Sequence, residues 1–103
     1  MCGTPEYVAP EMLARRGYGA AIDAWALGVL LYELLAGRTP FASSRTEDTY
    51  DRIIGFVASA LRFPPKVSSG ARDLVHRLLV VEPSSRASPG EALGSEWLRT
   101  AGS

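Results

Sequence analysis

Between Ala21 and Ala36 the chain offers almost no polar stripe: Ile22, Trp25, Leu27, Val29, Leu30, Leu31, Tyr32, Leu34 and Leu35 are spread around the whole circumference of a helix. That pattern predicts a helix buried on every side, closed by Gly37, which can take the left-handed conformation that ends a helix. Elsewhere the apolar positions are periodic and punctuated. "PEMLARR" predicts a short helix with Pro10 in its first turn, where a missing amide proton leaves nothing unpaired, stopped by "GYGA". From Ser44, "SRTE" predicts a capping box with Glu47, and Tyr50, Ile53, Ile54 and Val57 come after it at helical spacing, so this helix is amphipathic and lies on the surface. In "SSGARDLVHRLLVVEP" the residues Ala71, Leu74, Val75, Leu78 and Leu79 mark one face, with Ser68 or Ser69 as cap and Pro83 beyond the end. "SPGEAL" predicts a last helix, in which Ser88 caps, Pro89 takes the first position and Glu91 completes a capping box; Trp97 and Leu98 anchor its far end. No strand pattern emerges, so the expected fold class is all-α.

These elements do not balance. The central helix demands neighbours on all sides, while each amphipathic helix has one apolar face to give, so part of the cover that the central helix needs is expected to be missing.

Composition narrows the function classes. At 103 residues, 47% hydrophobic and 21% charged, the chain reads as one small folded domain. Eleven basic residues balance eleven acidic ones, so the chain lacks the broad positive surface of a nucleic-acid or polyanion binder, and no basic helix follows a tight turn as in helical DNA-binding domains. Partners must be recognised locally. The longest apolar stretch, "AWALGVLLYELLA", is shorter than the ~18 to 20 residues that cross a bilayer, and the first residues lack the basic start of a signal peptide. Cys2, the only cysteine, excludes an internal disulfide and reads as an inert small hydrophobe. These features suit a cytoplasmic or nuclear protein with no membrane or nucleic-acid partner. His76 falls between apolar positions toward the wetter side of its helix, and with no second histidine or cysteine pair no metal site is expected.

Three motifs then appear in a fixed order: "CGTPEYVAPE" from Cys2 to Glu11, "DAWALG" from Asp23 to Gly28, and "EPSSR" ending at Arg86. Together they resemble the carboxy-terminal half of the large lobe of eukaryotic serine/threonine protein kinases, and the resemblance runs from Cys2 to Leu98. "LLYELLAGRTPF" and "LRFPPKVSSGARDL" are most similar to the cyclic-nucleotide-dependent and Aurora kinases.

The resemblance implies roles residue by residue. Gly3, Thr4, Pro5 and Glu6 match the loop that receives the substrate residue after the phosphorylated one. Thr4 matches the threonine that supports the catalytic aspartate and lysine, a task suited to a hydroxyl that donates and accepts at once. Glu11 and Arg86 match an ion pair tying that loop to the helices behind it; taken without the family, each would be read as a solvated surface charge. Asp23 matches the aspartate that holds the catalytic loop from beneath, where otherwise it is an ordinary acid favoured by a helix amino terminus. Trp25 and Gly28 belong to the same motif, which departs from the family's usual pattern at Ala24 and Ala26.

What the motifs leave out bears on mechanism. Phosphoryl transfer needs a glycine-rich loop, a phosphate-binding lysine, a catalytic-loop aspartate with its asparagine, and a magnesium-binding aspartate. These 103 residues contain no "HRD", no "DFG" and no complete glycine-rich motif. The resemblance therefore implies a partial protein kinase domain over residues 1–103. It runs from the substrate loop to the last helix of the large lobe, without the small lobe, the catalytic loop or the catalytic residues. The full domain would be α+β and would use ATP and Mg2+, whereas this chain alone is expected to bind no cofactor and to transfer no phosphate. The expected partner is a protein substrate or a regulatory protein. The alternative is a non-catalytic docking or competitor module derived from a kinase large lobe.

Overall fold

The computed structural model describes residues 5–13 and 19–93. Five α-helices succeed one another: α1 Pro10–Leu13, α2 Ala20–Ala36, α3 Thr46–Ile54, α4 Ser69–Leu78 and α5 Pro89–Leu93. Single 3-10 turns at Pro5–Tyr7, Ala58–Ala60 and Pro83–Ser85 punctuate them, and no strand occurs among the described residues. The all-α expectation holds. The expected helix 10–16 is described only as far as Leu13, and the expectations for Cys2, Gly3, Thr4, Trp97 and Leu98 also fall outside the described residues.

Helix α2 is the hub. It packs against α4, α5 and the turns Pro5–Tyr7 and Pro83–Ser85, while α3 meets α1 and the Pro5–Tyr7 turn. Gly37 ends α2 at φ 87°, and its amide donates to the Glu33 carbonyl at 2.8 Å. Helices α2 and α4 approach closely at Gly28, where an added Cβ would come within 2.8 Å of the Leu78 Cβ and 2.9 Å of the Leu79 Cδ2. Only a residue without a side chain lets α2 and α4 lie so near.

Helix α4 keeps closely to its sequence pattern. The Ser68 hydroxyl accepts from the Ala71 amide at 3.1 Å, and Ala71, Leu74, Val75, Leu78 and Leu79 are all buried. The capping box of α5 also forms: the Glu91 amide donates to the Ser88 hydroxyl at 3.0 Å, and the Ser88 amide donates to the Glu91 carboxylate at 2.9 Å. The bond from the Ser88 amide, then that with its hydroxyl, holds the Glu91 carboxyl below its ordinary value of 4.5.

Two expectations are corrected. The capping box at Ser44 does not form: α3 starts at Thr46, Arg45 occupies the capping position without a side-chain cap, and Glu47 receives Arg45 instead at 2.7 Å. A helix capped one residue later leaves Glu47 too close to its start to reach back to the Ser44 amide. Of the expected apolar face of α3, Ile53 is buried and Tyr50 half-buried, but Ile54 and Val57 are 61% and 57% exposed because the helix ends at Ile54 and the chain turns at Gly55.

The central helix is covered only in part. Trp25, Val29, Leu31 and Tyr32 are buried, whereas Leu30 is 43% and Leu34 73% exposed. With Asp23 and Leu27 these form one stripe at helical spacing. The burial expected on every side is absent along this stripe, where the sequence also leads one to expect missing cover.

Candidate functional site

The site is built around an aromatic core. Trp25 stacks on Phe41 with ring centroids 5.6 Å apart, and Phe56 meets both rings edge-on, at 5.8 Å from Trp25 and 5.5 Å from Phe41. Such offset and edge-on arrangements add to the area that the rings bury. The Trp25 indole N–H is buried with no hydrogen-bond partner among the described residues.

The Arg86 guanidinium lies 5.0 Å from the centroid of the Trp25 ring. Its Nη1 and Nη2 grip the two Glu11 carboxylate oxygens at 2.7 and 3.0 Å, a bidentate pair whose side chains are 0% and 5% exposed. Its remaining donors go to backbone carbonyls, to Val80 at 2.8 Å, Ala21 at 2.6 Å and Val81 at 3.3 Å. A planar fork can satisfy all of these acceptors together, which a lysine ammonium cannot. Glu11 and Arg86 are thus brought together, and neither is the solvated charge that its residue type alone suggests.

The turn Pro5–Tyr7, whose described part carries Pro5 and Glu6 of the expected substrate loop, is fastened by side chains from elsewhere. The Thr39 hydroxyl donates to the Glu6 carboxylate, and the Tyr7 hydroxyl donates to the Glu33 carboxylate. These two clasps join the turn to the carboxyl end of α2 and to the loop beyond it. Nothing in the sequence pattern announces them, because their partners are 33 and 26 residues apart. A third link of the same kind is the Tyr32 hydroxyl, which donates to the Arg62 carbonyl at 2.5 Å and accepts from its amide at 3.3 Å.

Asp23 stands elsewhere. It is exposed at the start of the uncovered stripe of α2 and makes no hydrogen bond or ion pair with a described residue. His76 is half-buried with its ring 5.8 Å from that of Phe63. Among the described residues no three His, Cys, Asp or Glu side chains gather to hold a metal ion. No helix of the described residues is long and apolar enough to cross a membrane.

Comparison with known proteins agrees with this geometry. The model of the protein kinase domain matches residues 1–98. Aurora kinase C of Mus musculus is 45% identical over 101 residues, 96% of this chain and 35% of its own length. Serine/threonine-protein kinase DCLK3 of Homo sapiens is 46% identical over 105 residues, 99% of this chain and 16% of its own. A protein described as cAMP-dependent protein kinase, catalytic subunit-like, of Caenorhabditis elegans is 45% identical over 86 residues, 84% of this chain and 21% of its own. The chain thus spans about a third or less of these relatives. With the family model matching nearly its whole length and relatives of the serine/threonine class at this identity, the chain belongs to the protein kinase family, as a helical part of the large lobe.

Proposed function

We propose that these residues form the substrate-side platform of a serine/threonine protein kinase, whose full-length form transfers the γ-phosphate of ATP to Ser or Thr of proteins with Mg2+, and that this chain alone is catalytically inactive. The observation that carries the reading is the Glu11–Arg86 pair, buried under the "APE" segment and stacked on Trp25. It fixes the turn that bears Pro5 and Glu6 on rigid helices, as a surface that positions a peptide requires. The inactivity rests on chemistry: the groups that would hold the nucleotide and the transferring phosphoryl group are not among these 103 residues. Gly3 and Thr4 would complete the loop, Thr4 toward a catalytic aspartate and lysine supplied from elsewhere. Trp25 and Gly28 serve the platform from beneath, and Asp23, exposed on α2, would hold a catalytic loop supplied from elsewhere. The partner is a protein substrate or regulatory protein in the cytoplasm or nucleus.

Two assays test this. The purified chain with radiolabelled ATP, Mg2+ and serine/threonine peptides should transfer no phosphate, and measurable turnover would overturn the claim of inactivity. Grafted in place of the matching segment of Aurora kinase C, the same residues should support peptide phosphorylation; a folded but inert chimera would overturn the platform. The second reading, a docking or competitor module, is favoured by the exposed Leu30 and Leu34. It predicts that the isolated chain melts cooperatively and inhibits an intact relative.

A further inference from the structure

Beyond the carboxyl end of α2, Arg38, Arg52 and Arg62 line one small cavity of about 170 Å3, together with Thr39, Pro40 and Ala60. The three come from separate places: Arg38 from the loop after α2, Arg52 from the last turn of α3, and Arg62 from the segment after the Ala58–Ala60 turn. No carboxylate lines this cavity. Its hydroxyls are already committed, Thr39 to Glu6 and Tyr32 to the Arg62 backbone. The polar character of the cavity therefore belongs to its guanidinium groups.

Two of those groups are held in place. Arg52 spends its Nη1 on the Ala42 carbonyl at 2.6 Å, and Arg62 spends its Nη1 on the Ser59 and Leu61 carbonyls at 2.8 and 3.3 Å. Each thereby fixes its stem while its other nitrogens make no further bond to a described residue. Arg38 makes no hydrogen bond or ion pair with a described residue. Glu6, which accepts from the Thr39 hydroxyl, does not line the cavity. Convergent arginines normally repel one another, and a chain with no net charge has acids in equal number that could have stood between them. Here none does.

We infer that this cavity is an anion subsite that takes the phosphate group of a phosphorylated serine or threonine on a protein partner. Guanidinium forks match phosphate oxygens in pairs, and a phosphomonoester, carrying close to two charges, answers three cations better than a carboxylate does. The cavity, at about 170 Å3, has room for a single such group. Because Thr39 joins it directly to the turn bearing Glu6, a phosphoprotein seated here would lie against the proposed platform. The subsite stands on the arginines alone and does not require the platform reading.

The test is binding by the full chain, free of any kinase assay. Fluorescence anisotropy should show saturable binding of a labelled phosphoserine peptide, competition by inorganic phosphate, and at least tenfold weaker binding of the unphosphorylated peptide. Arg38→Gln, which breaks no bond to a described residue, should weaken phosphopeptide binding by about tenfold. Arg45→Gln removes the same charge from the exposed pair with Glu47, outside the cavity, and should leave binding unchanged. Equal affinity for the two peptides, equal loss in both variants, or binding to phosphatidylserine vesicles without binding to the phosphopeptide would each overturn the inference.

Discussion

Arg86 and Glu11 stand 75 residues apart and meet as a bidentate ion pair at 2.7 and 3.0 Å, with the guanidinium lying over the Trp25 ring. Charges taken so far out of water are tolerable only in pairs. Glu11→Gln leaves the arginine without its counter-ion and should cost about 3 to 5 kcal/mol. A small domain has only about 5 to 15 kcal/mol in all, so the variant should be largely unfolded in modest urea. Arg86→Lys keeps the charge but loses the fork and should also lower the urea midpoint measured by circular dichroism.

Gly28→Ala sets two effects against each other. Alanine gains about 1 kcal/mol of helix propensity over glycine. Its Cβ, however, would sit 2.8 Å from the Leu78 Cβ, an atom tied to the α4 backbone that cannot swing aside. Overpacking of this kind costs about 1 to 3 kcal/mol with the backbone shifts it forces, and a clash this short belongs at the upper end. The net loss should lower Tm by roughly 4 to 16 °C, at about 4 to 8 °C per kcal/mol in calorimetry.

The capping box of α5 should be acid-sensitive. The folded carboxyl of Glu91 is held below its ordinary value of 4.5 by the Ser88 amide and hydroxyl. A depressed carboxyl contributes stability that is present above its unfolded value and lost as pH falls through its folded value. The expected window is therefore below about pH 4.5. Glu91→Gln should flatten the contribution of this group to the pH dependence of unfolding there and change little near neutrality, as equilibrium melts from acid to neutral pH would show.

Leu34 is 73% exposed on the uncovered stripe of α2. Leu34→Lys should change stability by no more than about 0.5 kcal/mol, since surface substitutions away from packed features seldom do more. It should reduce self-association in sedimentation velocity, because it interrupts the apolar patch shared with Leu30.

Legibility in the sequence tracked the range of the interaction. Helix α4 is readable because one face, one serine cap and one distal proline agree, and all act within a short span of chain. The Ser88–Glu91 box is readable for the same reason. The start of α3 is not, because "SRTE" satisfies the local rule while the chain enters its helix one residue later. Ile54 and Val57 look like core by spacing and become surface because the helix stops short of completing that face. No periodicity links Glu11 to Arg86; only motif resemblance pairs them. The clasps from Tyr7 to Glu33 and Thr39 to Glu6 have neither local pattern nor motif to mark them, so they appear only once the chain is folded.

The wide reach of Arg86 also orders events in time. Its side chain touches Glu11, the start of α2 and the carbonyls of Val80 and Val81. On a ribosome adding about 5 to 20 residues per second, the 75 residues from Glu11 to Arg86 take roughly 4 to 15 seconds to make. The clasps from Tyr7 to Glu33 and from Thr39 to Glu6 join residues made much earlier, so the turn at Pro5–Tyr7 has partners before Arg86 emerges. The bidentate pair does not: the arginine that closes the third motif must be made before it can grip the glutamate that closes the first.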